Sequence, residues 1–492
     1  MRAFVFPIVL LLLSFGQAVA FNPPNIVVLM ADDLGYGDLS STGNPTIRTP
    51  NIDRIGDEGV RFSHFYAGAS VCSPSRAAML TGRLPHRLGI YGFLHTGEPY
   101  VHLPRSEVTL PQVLRDSGYQ TALVGKWHAS LLEFREKFAT PDLSKYGFDF
   151  SFVTDDNTIL RVKPGWWRNG QKLDEKIPGL AANVVGAEAE RWLRTGREDG
   201  QPFLLMVHFF EPHWRVEGRE QQIEEHVRAG IKNRDEATYY ACVENLDSEV
   251  GRIDALLEEL ELKDNTIVLF TSDHGPARLG TGAARNRNFG RAAPYRGWKY
   301  GLWDGSIHVP ASLRWPAGLQ GGGRDISEPI GAIDLLPSLC RLAGASLPDG
   351  LADHLDGTDV TALLDPNEPQ PITRRVPLQW HYYNANLNSQ QEDGDEFSPS
   401  AVLRDGDYVI CGFYDHRPGY PGRWSPEHMD YLRTRELVRF ALYDVVKDPS
   451  QTNDLAVTNT QVFLRLSAAL QQAHDAYQAE AVGWKDGKLE RP

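Results

Sequence analysis

Cys72-Ser73-Pro74-Ser75-Arg76-Ala77-Ala78-Met79-Leu80-Thr81-Gly82-Arg83 is the stretch on which the reading of this chain turns. Pro74 suits the first turn of a helix, where a missing N–H costs no hydrogen bond. That puts position 72 at a helix N-terminus, where free amides and the macrodipole favour an anion. On these residues alone Cys72 is either a reactive group at an anion-binding helix end or a structural cysteine buried before an ordinary helix.

Outward from this stretch, apolar strands alternate with helices. Asn25 to Met30 is a β-branched run that reads as a buried strand ending at Ala31-Asp32-Asp33. Asn51 to Gly59 looks helical, and Arg61 to Tyr66 alternates like a strand. Pro111 to Ser117 reads as a helix, and Tyr119 to Val124 as a strand ending in Gly125-Lys126-Trp127-His128. Phe203 to Phe209 ends near Glu211-Pro212-His213, and Thr266 to Phe270 runs into Asp273-His274-Gly275. Between those two lies the clearest helix, Ala237 to Leu262, whose Val243, Leu246, Val250, Ile253, Leu257 and Leu260 recur at three and four. In open α/β sheets ligands bind beyond the carboxyl ends of the strands. Asp32, Asp33, Lys126, His128, His213, Asp273 and His274 are therefore expected along one sheet edge.

Beyond about Gly350 the texture changes. Asp365 to Arg375 is rich in proline and charge and reads as a linker. Val376 to Tyr383, Ala401 to Leu403, Tyr408 to Phe413 and Phe440 to Val446 are strand-like, with a polar loop from Asn384 to Ser400 and a terminal helix from Gln461 to Glu480. An antiparallel sheet under one helix is the economical arrangement. The expected organisation is a signal peptide at 1–20, a catalytic domain at 21–364 and a C-terminal α+β subdomain at 365–492.

The ends and the composition narrow the partners. Arg2, the apolar Phe4 to Phe15 and Ala18-Val19-Ala20 have the form of an export signal with a small-residue cleavage site. That run is too short for a comfortable membrane helix and no later segment is longer, so no membrane span is expected. A net charge of −14 repels a polyanion and argues against nucleic acid as a partner. An anionic substrate must be held by a local cluster of cations. Four cysteines, 72, 242, 340 and 411, are too few for a disulfide scaffold. Asn44-Pro45-Thr46 is a Pro-blocked acceptor, and with no usable glycosylation site the export reading leans to a bacterial periplasmic or secreted protein.

Cys72, Pro74, Ser75, Arg76 and Leu80-Thr81-Gly82-Arg83 resemble the Cys-X-Pro-Ser-Arg and Leu-Thr-Gly-Arg signature of type I sulfatases, formylglycine-dependent members of the alkaline phosphatase superfamily. The resemblance implies an α/β fold: a large mixed sheet sandwiched by helices, with a smaller C-terminal antiparallel sheet plus helix. It also implies that a maturation enzyme oxidises Cys72 to formylglycine, whose hydrate attacks sulfur and then collapses to release sulfate. By the same resemblance Asp32, Asp33, Asp273, His274 and the modified Cys72 hold a calcium ion, with magnesium or manganese as alternatives. His274 stands where many relatives carry Asn.

Gly125-Lys126-Trp127-His128 resembles the family's Gly-Lys-Trp-His motif, in which the lysine binds sulfate and the histidine takes the proton that collapses the intermediate. Ala129-Ser130 follows where relatives usually have Leu-Gly. Pro212-His213-Trp214 resembles the segment of the second histidine, which faces the leaving oxygen. Arg296-Gly297-Trp298-Lys299 resembles the segment of the second lysine, and Trp303 to Pro310 departs from the usual Glu-Gly-Gly-Ile-Arg-Val-Pro. Arg76 is expected to hold the aldehyde hydrate in place.

Lys126, His213, Lys299, Trp214 and Arg296 are the expected substrate ligands, within a wider set of aromatics and arginines. That set comprises Trp166, Trp167, Arg168, Arg215, Arg285, Arg287, Arg291, Tyr295, Trp298, His381, Tyr382 and Tyr383. Flat aromatic faces and guanidinium forks suit a sulfated sugar. The expected activity is hydrolysis of a carbohydrate or aryl sulfate. The alternatives are a phosphodiesterase or phosphonate monoester hydrolase of the same superfamily, and a non-catalytic protein that binds sulfated glycans.

Overall fold

In the computed structural model, residues 22–491 are described except 96, 99, 135–136, 138–141, 155–164, 279, 281, 368–369, 383–398, 416–424 and 486–487. The expected signal peptide, Tyr383 and nearly all of the loop 384–400 lie outside the described residues.

Asn25–Asp32 (NIVVLMAD) is apolar on both faces, the pattern of a strand with layers above and below it. It lies at the centre of a ten-stranded sheet. Phe203–Pro212 and Thr266–Ser272 pair with it in parallel, Gln120–Lys126 adds in parallel to Phe203–Pro212, and Phe150–Thr154 extends the same direction. All five strands thus end on one edge. On one side the sheet continues through Ala311–Arg314, which is antiparallel to Thr266–Ser272, then Val60–Phe62 and Arg324–Ile326. The short strands Trp167–Arg168 and Gln171–Lys172 close the other side.

Alternation along the central strand feeds two cores. Ile26, Val28 and Met30 pack with Ala77, Met79 and Leu80 of helix Cys72–Thr81, with Val113 and Leu114 of Leu110–Asp116, and with Leu335–Leu342. Val27, Leu29 and Ala31 face Pro50–Asp57, Ala181–Thr195 and Arg234–Glu259. The architecture is α/β, helix–sheet–helix. The 61–66 segment expected as one strand is two. Val60–Phe62 joins the main sheet, while Phe65–Tyr66 turns away to pair with His308–Val309 and Ile330–Gly331.

A second sheet is antiparallel throughout, in the order Leu378–His381, Ala401–Asp405, Tyr408–Tyr414, Leu437–Asp444. Helix Thr460–Glu480 covers one face through Leu466 and Leu470. The other face packs on Tyr66, Val71 and Ala78, beside the start of the Cys72 helix. Trp380 Nε1 donates to the Ala67 carbonyl at 2.7 Å, tying the two units together. The hairpin Gly483–Lys485/Lys488–Glu490 then returns to the main body, where Trp484 Nε1 donates to the Gly89 carbonyl at 3.0 Å. Among the described residues no helix is long and apolar enough to cross a membrane.

Candidate active site

Cys72 is the first residue of a ten-residue helix that Val71, in extended conformation, introduces and Gly82 ends at φ 65°. Every residue of that helix is buried. Ser75 fixes its first turn: the hydroxyl donates to the Asp273 carbonyl at 2.5 Å and accepts from the Gly68 N–H at 3.1 Å. The helix therefore points its N-terminus at the carboxyl edge of the sheet. There the Cys72 sulfur lies 3.7 Å from Asp32 Oδ1, 3.4 Å from Lys299 Nζ and 3.3 Å from His274 Nε2.

The strand ends bring the rest. Gly125 sits at φ 107°, and a Cβ there would fall 1.9 Å from the His208 carbonyl, so only glycine lets Gln120–Lys126 run this close to its neighbour. Lys126 Nζ consequently reaches Asp32 Oδ2 at 2.5 Å. Trp127 donates its indole N–H to Ser130 at 2.7 Å, which gives the unusual Ala-Ser continuation a structural task. Asp33 (φ 67°) and His128 (φ 54°) hold left-handed conformations that non-glycine residues seldom adopt, a cost that clusters at functional sites. His128 Nε2 is 3.0 Å from the Leu94 carbonyl. His213 follows Phe203–Pro212, with Nδ1 2.9 Å from the Trp214 carbonyl and Nε2 3.9 Å from Asp33.

Asp32, Asp33, Cys72 and His274 each offer a donor atom, and these atoms all lie within 4.8 Å of one another. Two carboxylates and an imidazole around a buried point suit a divalent cation. Asp273 is placed differently from the other expected ligands. Its carboxylate takes Arg76 Nε at 3.0 Å and NH2 at 2.9 Å, and its Oδ1 lies 3.4 Å from His274 Nε2. Asp33 accepts Lys299 at 2.6 Å on one oxygen and Arg287 at 2.5 Å on the other.

Electrostatics follow from this packing. Burial alone would raise the Cys72 thiol, but Lys126 and Lys299 hold it well below its ordinary range. Burial opposes ionisation of Asp32 and Asp33 too, yet Lys126 for the first and Lys299 for the second keep both carboxyls far below theirs. Asp273 is pushed up to about 6 by burial and by Asp32. Burial and Lys126 hold His128 well below the usual imidazole range, and burial lowers His213 to about 4. In both histidines this favours the neutral imidazole.

A family model described as Sulfatase matches residues 24–345, the whole span that supplies these side chains. The chain belongs to the sulfatase family. Steryl-sulfatase of Homo sapiens is 28% identical, covering 94% of this chain and 89% of its own. Arylsulfatase A of Homo sapiens is 33% identical over 72% of this chain and 70% of its own. N-acetylgalactosamine-6-sulfatase of Rattus norvegicus is 34% identical over 71% and 67%. Among solved structures, Ps i-CgsB superimposes with a TM-score of 0.74 at 24% identity, covering 92% of this chain and 93% of that one. That likeness speaks for the fold, which is of the alkaline-phosphatase type.

One residue of this sulfatase escaped the sequence reading, and another was expected only within a wide set. His208, inside a continuous apolar strand, looks like core, yet its Nδ1 lies 3.1 Å from the Lys126 carbonyl and 3.3 Å from Arg76 NH1. Arg287, expected as one of several arginines suited to a sulfated sugar, is set apart from them by its contact with Asp33. Arg296 departs from its expected place. One N–H goes to the Gln451 carbonyl at 3.2 Å and the guanidinium lies 3.8 Å from the Trp303 ring centroid, contacts that tie it to the C-terminal segment. Trp214 sits beside His213 with Arg215 over its ring at 5.5 Å.

Proposed function

We propose that this sulfatase removes sulfate from soluble sulfated carbohydrates, with residue 72, as formylglycine, the nucleophile. The observation that carries the reading is the position of Cys72 at a buried helix N-terminus, its sulfur within 3.7 Å of Asp32, Lys299 and His274. A plain structural cysteine needs none of these neighbours. The carbohydrate assignment is supported by proteins of similar fold, Ps i-CgsB in complex with k-i-k-neocarrahexaose and BT4656 in complex with D-Glucosamine-2-N, 6-O-disulfate, and by the N-acetylgalactosamine-6-sulfatases among the relatives.

Asp32, Asp33, His274 and residue 72 would hold a divalent cation, calcium by preference for its oxygen donors, with Asp273 behind them. Such an ion supplies positive charge to the sulfate oxygens, and an aldehyde hydrate at 72 supplies one hydroxyl for attack and a second for release of sulfate. Lys126 and Lys299 bind the sulfate oxygens. Arg76, locked on Asp273, fixes the start of the helix. His128, neutral at pH 7, accepts the proton from residue 72. His213 serves the leaving oxygen: an incoming anion favours its protonated form, which offsets part of its desolvation and lets it donate. Export through the N-terminal segment would place the enzyme with its polymeric substrates.

The test is the mass of the tryptic peptide spanning Cys72, from protein made in its native host. Thiol replaced by aldehyde or hydrate establishes the nucleophile, whereas an unmodified thiol overturns the mechanism. A phosphonate monoester hydrolase reading has one observation in its favour, a TM-score of 0.58 to that enzyme of Agrobacterium radiobacter at 21% identity. Relative rates on the sulfate and the phosphonate esters of one alcohol decide between them.

A further inference from the structure

We propose that Arg287 is the residue with which this sulfatase reads a second anionic group, a sulfate or carboxylate beside the scissile ester; the inference rests on the sulfate-ester reading above. Arg287 belongs to none of the nucleophile, lysine or histidine motifs. It comes from the 3₁₀ segment Gly282–Phe289, between the Asp273-His274 strand end and Lys299. That segment is held in place. Asn288 bonds both backbone groups of Gly280, accepting at 2.7 Å and donating at 2.8 Å, and Asn286 donates to the Val216 carbonyl at 3.1 Å. The arginine is carried on a fixed support.

Its charge is a second one on a carboxylate that Lys299 already serves. Among the described residues, Arg76, Lys126, Arg287 and Lys299 are the arginines and lysines that touch Asp32, Asp33 and Asp273. Two of them share the Asp33 carboxylate, and the neighbouring Nε of Arg287 is buried with no hydrogen-bond partner among the described residues. A sulfate monoester brings one negative charge, for which Lys126 and Lys299 suffice. A divalent cation held by Asp33 would compete with Arg287 for that carboxylate, and the guanidinium, 15% exposed, would then call for a substrate oxygen in its place. A guanidinium fork with N–H groups to spare takes two oxygens of one sulfate or carboxylate, which an ammonium cannot do with the same geometry.

The experiment compares phenyl sulfate with 1,2-phenylene disulfate and 2-carboxyphenyl sulfate, using wild type, R287Q and R287K. In wild type the doubly anionic esters are expected to have the higher kcat/KM. R287Q is expected to lower the ratio of doubly to singly anionic kcat/KM at least tenfold, with the loss in KM, and R287K to recover part of it. Whichever of the two doubly anionic esters loses more identifies the second group as sulfate or carboxylate. An equal fall on all three esters overturns the proposal and leaves Arg287 as a partner of Asp33 alone, and an unchanged ratio also overturns it. A second arm uses C72A and C72A/R287Q in calorimetry with the same esters, so it reads binding without turnover. Equal affinity of the two variants for the disulfate sinks the proposal. Hydrolysis of phenyl sulfate by wild type keeps the sulfate-ester reading standing whatever Arg287 does.

Discussion

At the scale of single residues, the site is a buried set of charges that stabilise one another and little else. Arg76 is fully buried; its Nε donates to Asp273 Oδ2 at 3.0 Å, its NH2 lies 2.9 Å from the same oxygen, and its NH1 donates to the Lys126 carbonyl at 3.2 Å. Removing one member of such a pair costs about 3–5 kcal/mol because the other charge is stranded. R76A is therefore expected to lose that much stability in urea denaturation along with its activity. R76K should recover little, since a single ammonium cannot meet the Asp273 carboxylate on one edge and the Lys126 carbonyl on another as the guanidinium does. The Asp32–Asp33–His274 group makes a separate prediction. Chelation with EDTA should lower the apparent Tm and calcium should restore it, because an ion bound only by the folded chain stabilises it. A Tm indifferent to both would remove the metal from the mechanism.

At the scale of elements, what was legible and what was not divides along physical lines. Strands Asn25–Asp32, Gln120–Lys126, Phe203–Pro212 and Thr266–Ser272 announce themselves because a strand covered on both faces is largely apolar, and each leads into residues of the candidate site. Ala311–Arg314 and Arg324–Ile326 are short and take their conformation from pairing, so no local pattern marks them. Helix Ala181–Thr195 hides behind Gly186, a poor helix former that packs against the Glu249 side chain. The same limit applies within the site. Cys72, Lys126 and His213 sit in motifs, whereas Arg287, one of several candidate arginines, is singled out by a partner 254 residues away.

The start of that Ala181–Thr195 helix also carries a pH term. The Glu211 carboxylate accepts from Ala182 N–H at 2.6 Å and from Phe210 N–H at 3.1 Å, and burial pushes its pKa up to about 7. A carboxyl free in the unfolded chain titrates at about 4.3. Between those values the folded form binds more protons, so this contribution is complete below about pH 4.3 and lost as pH rises through 7. Apparent Tm measured from pH 5 to 8 at one scan rate should fall less steeply in E211Q than in wild type. Identical slopes would assign the dependence elsewhere.

At the scale of the whole molecule, the chain's last segment is packed onto its first third. Tyr91 donates to the Val482 carbonyl at 2.8 Å, Val482 N–H to the His86 carbonyl at 3.1 Å, and Trp484, 5% exposed, fills the space over Gly89. A Cβ at Gly89 would come within 2.8 Å of the Trp484 indole nitrogen. W484A should cost about 3–5 kcal/mol, as large-to-small changes of buried aromatics do. Urea titration followed at once by tyrosine fluorescence and by activity is expected to show both midpoints moving together. Separate midpoints would mean that the smaller sheet unfolds on its own.

The burial of residue 72 also sets a clock. Its side chain is 1% exposed, and the groups that close over it include His274, 202 residues further along the chain. At about 5–20 residues per second, synthesis brings out the cysteine roughly 10–40 s before that histidine exists. An enzyme that has to grip the Cys72 stretch can do so only in that interval or on a chain kept unfolded afterwards. Under the formylglycine reading proposed above, the fraction of active molecules would be decided by a race between modification and folding, and faster translation or faster folding would yield more well-folded, inert protein.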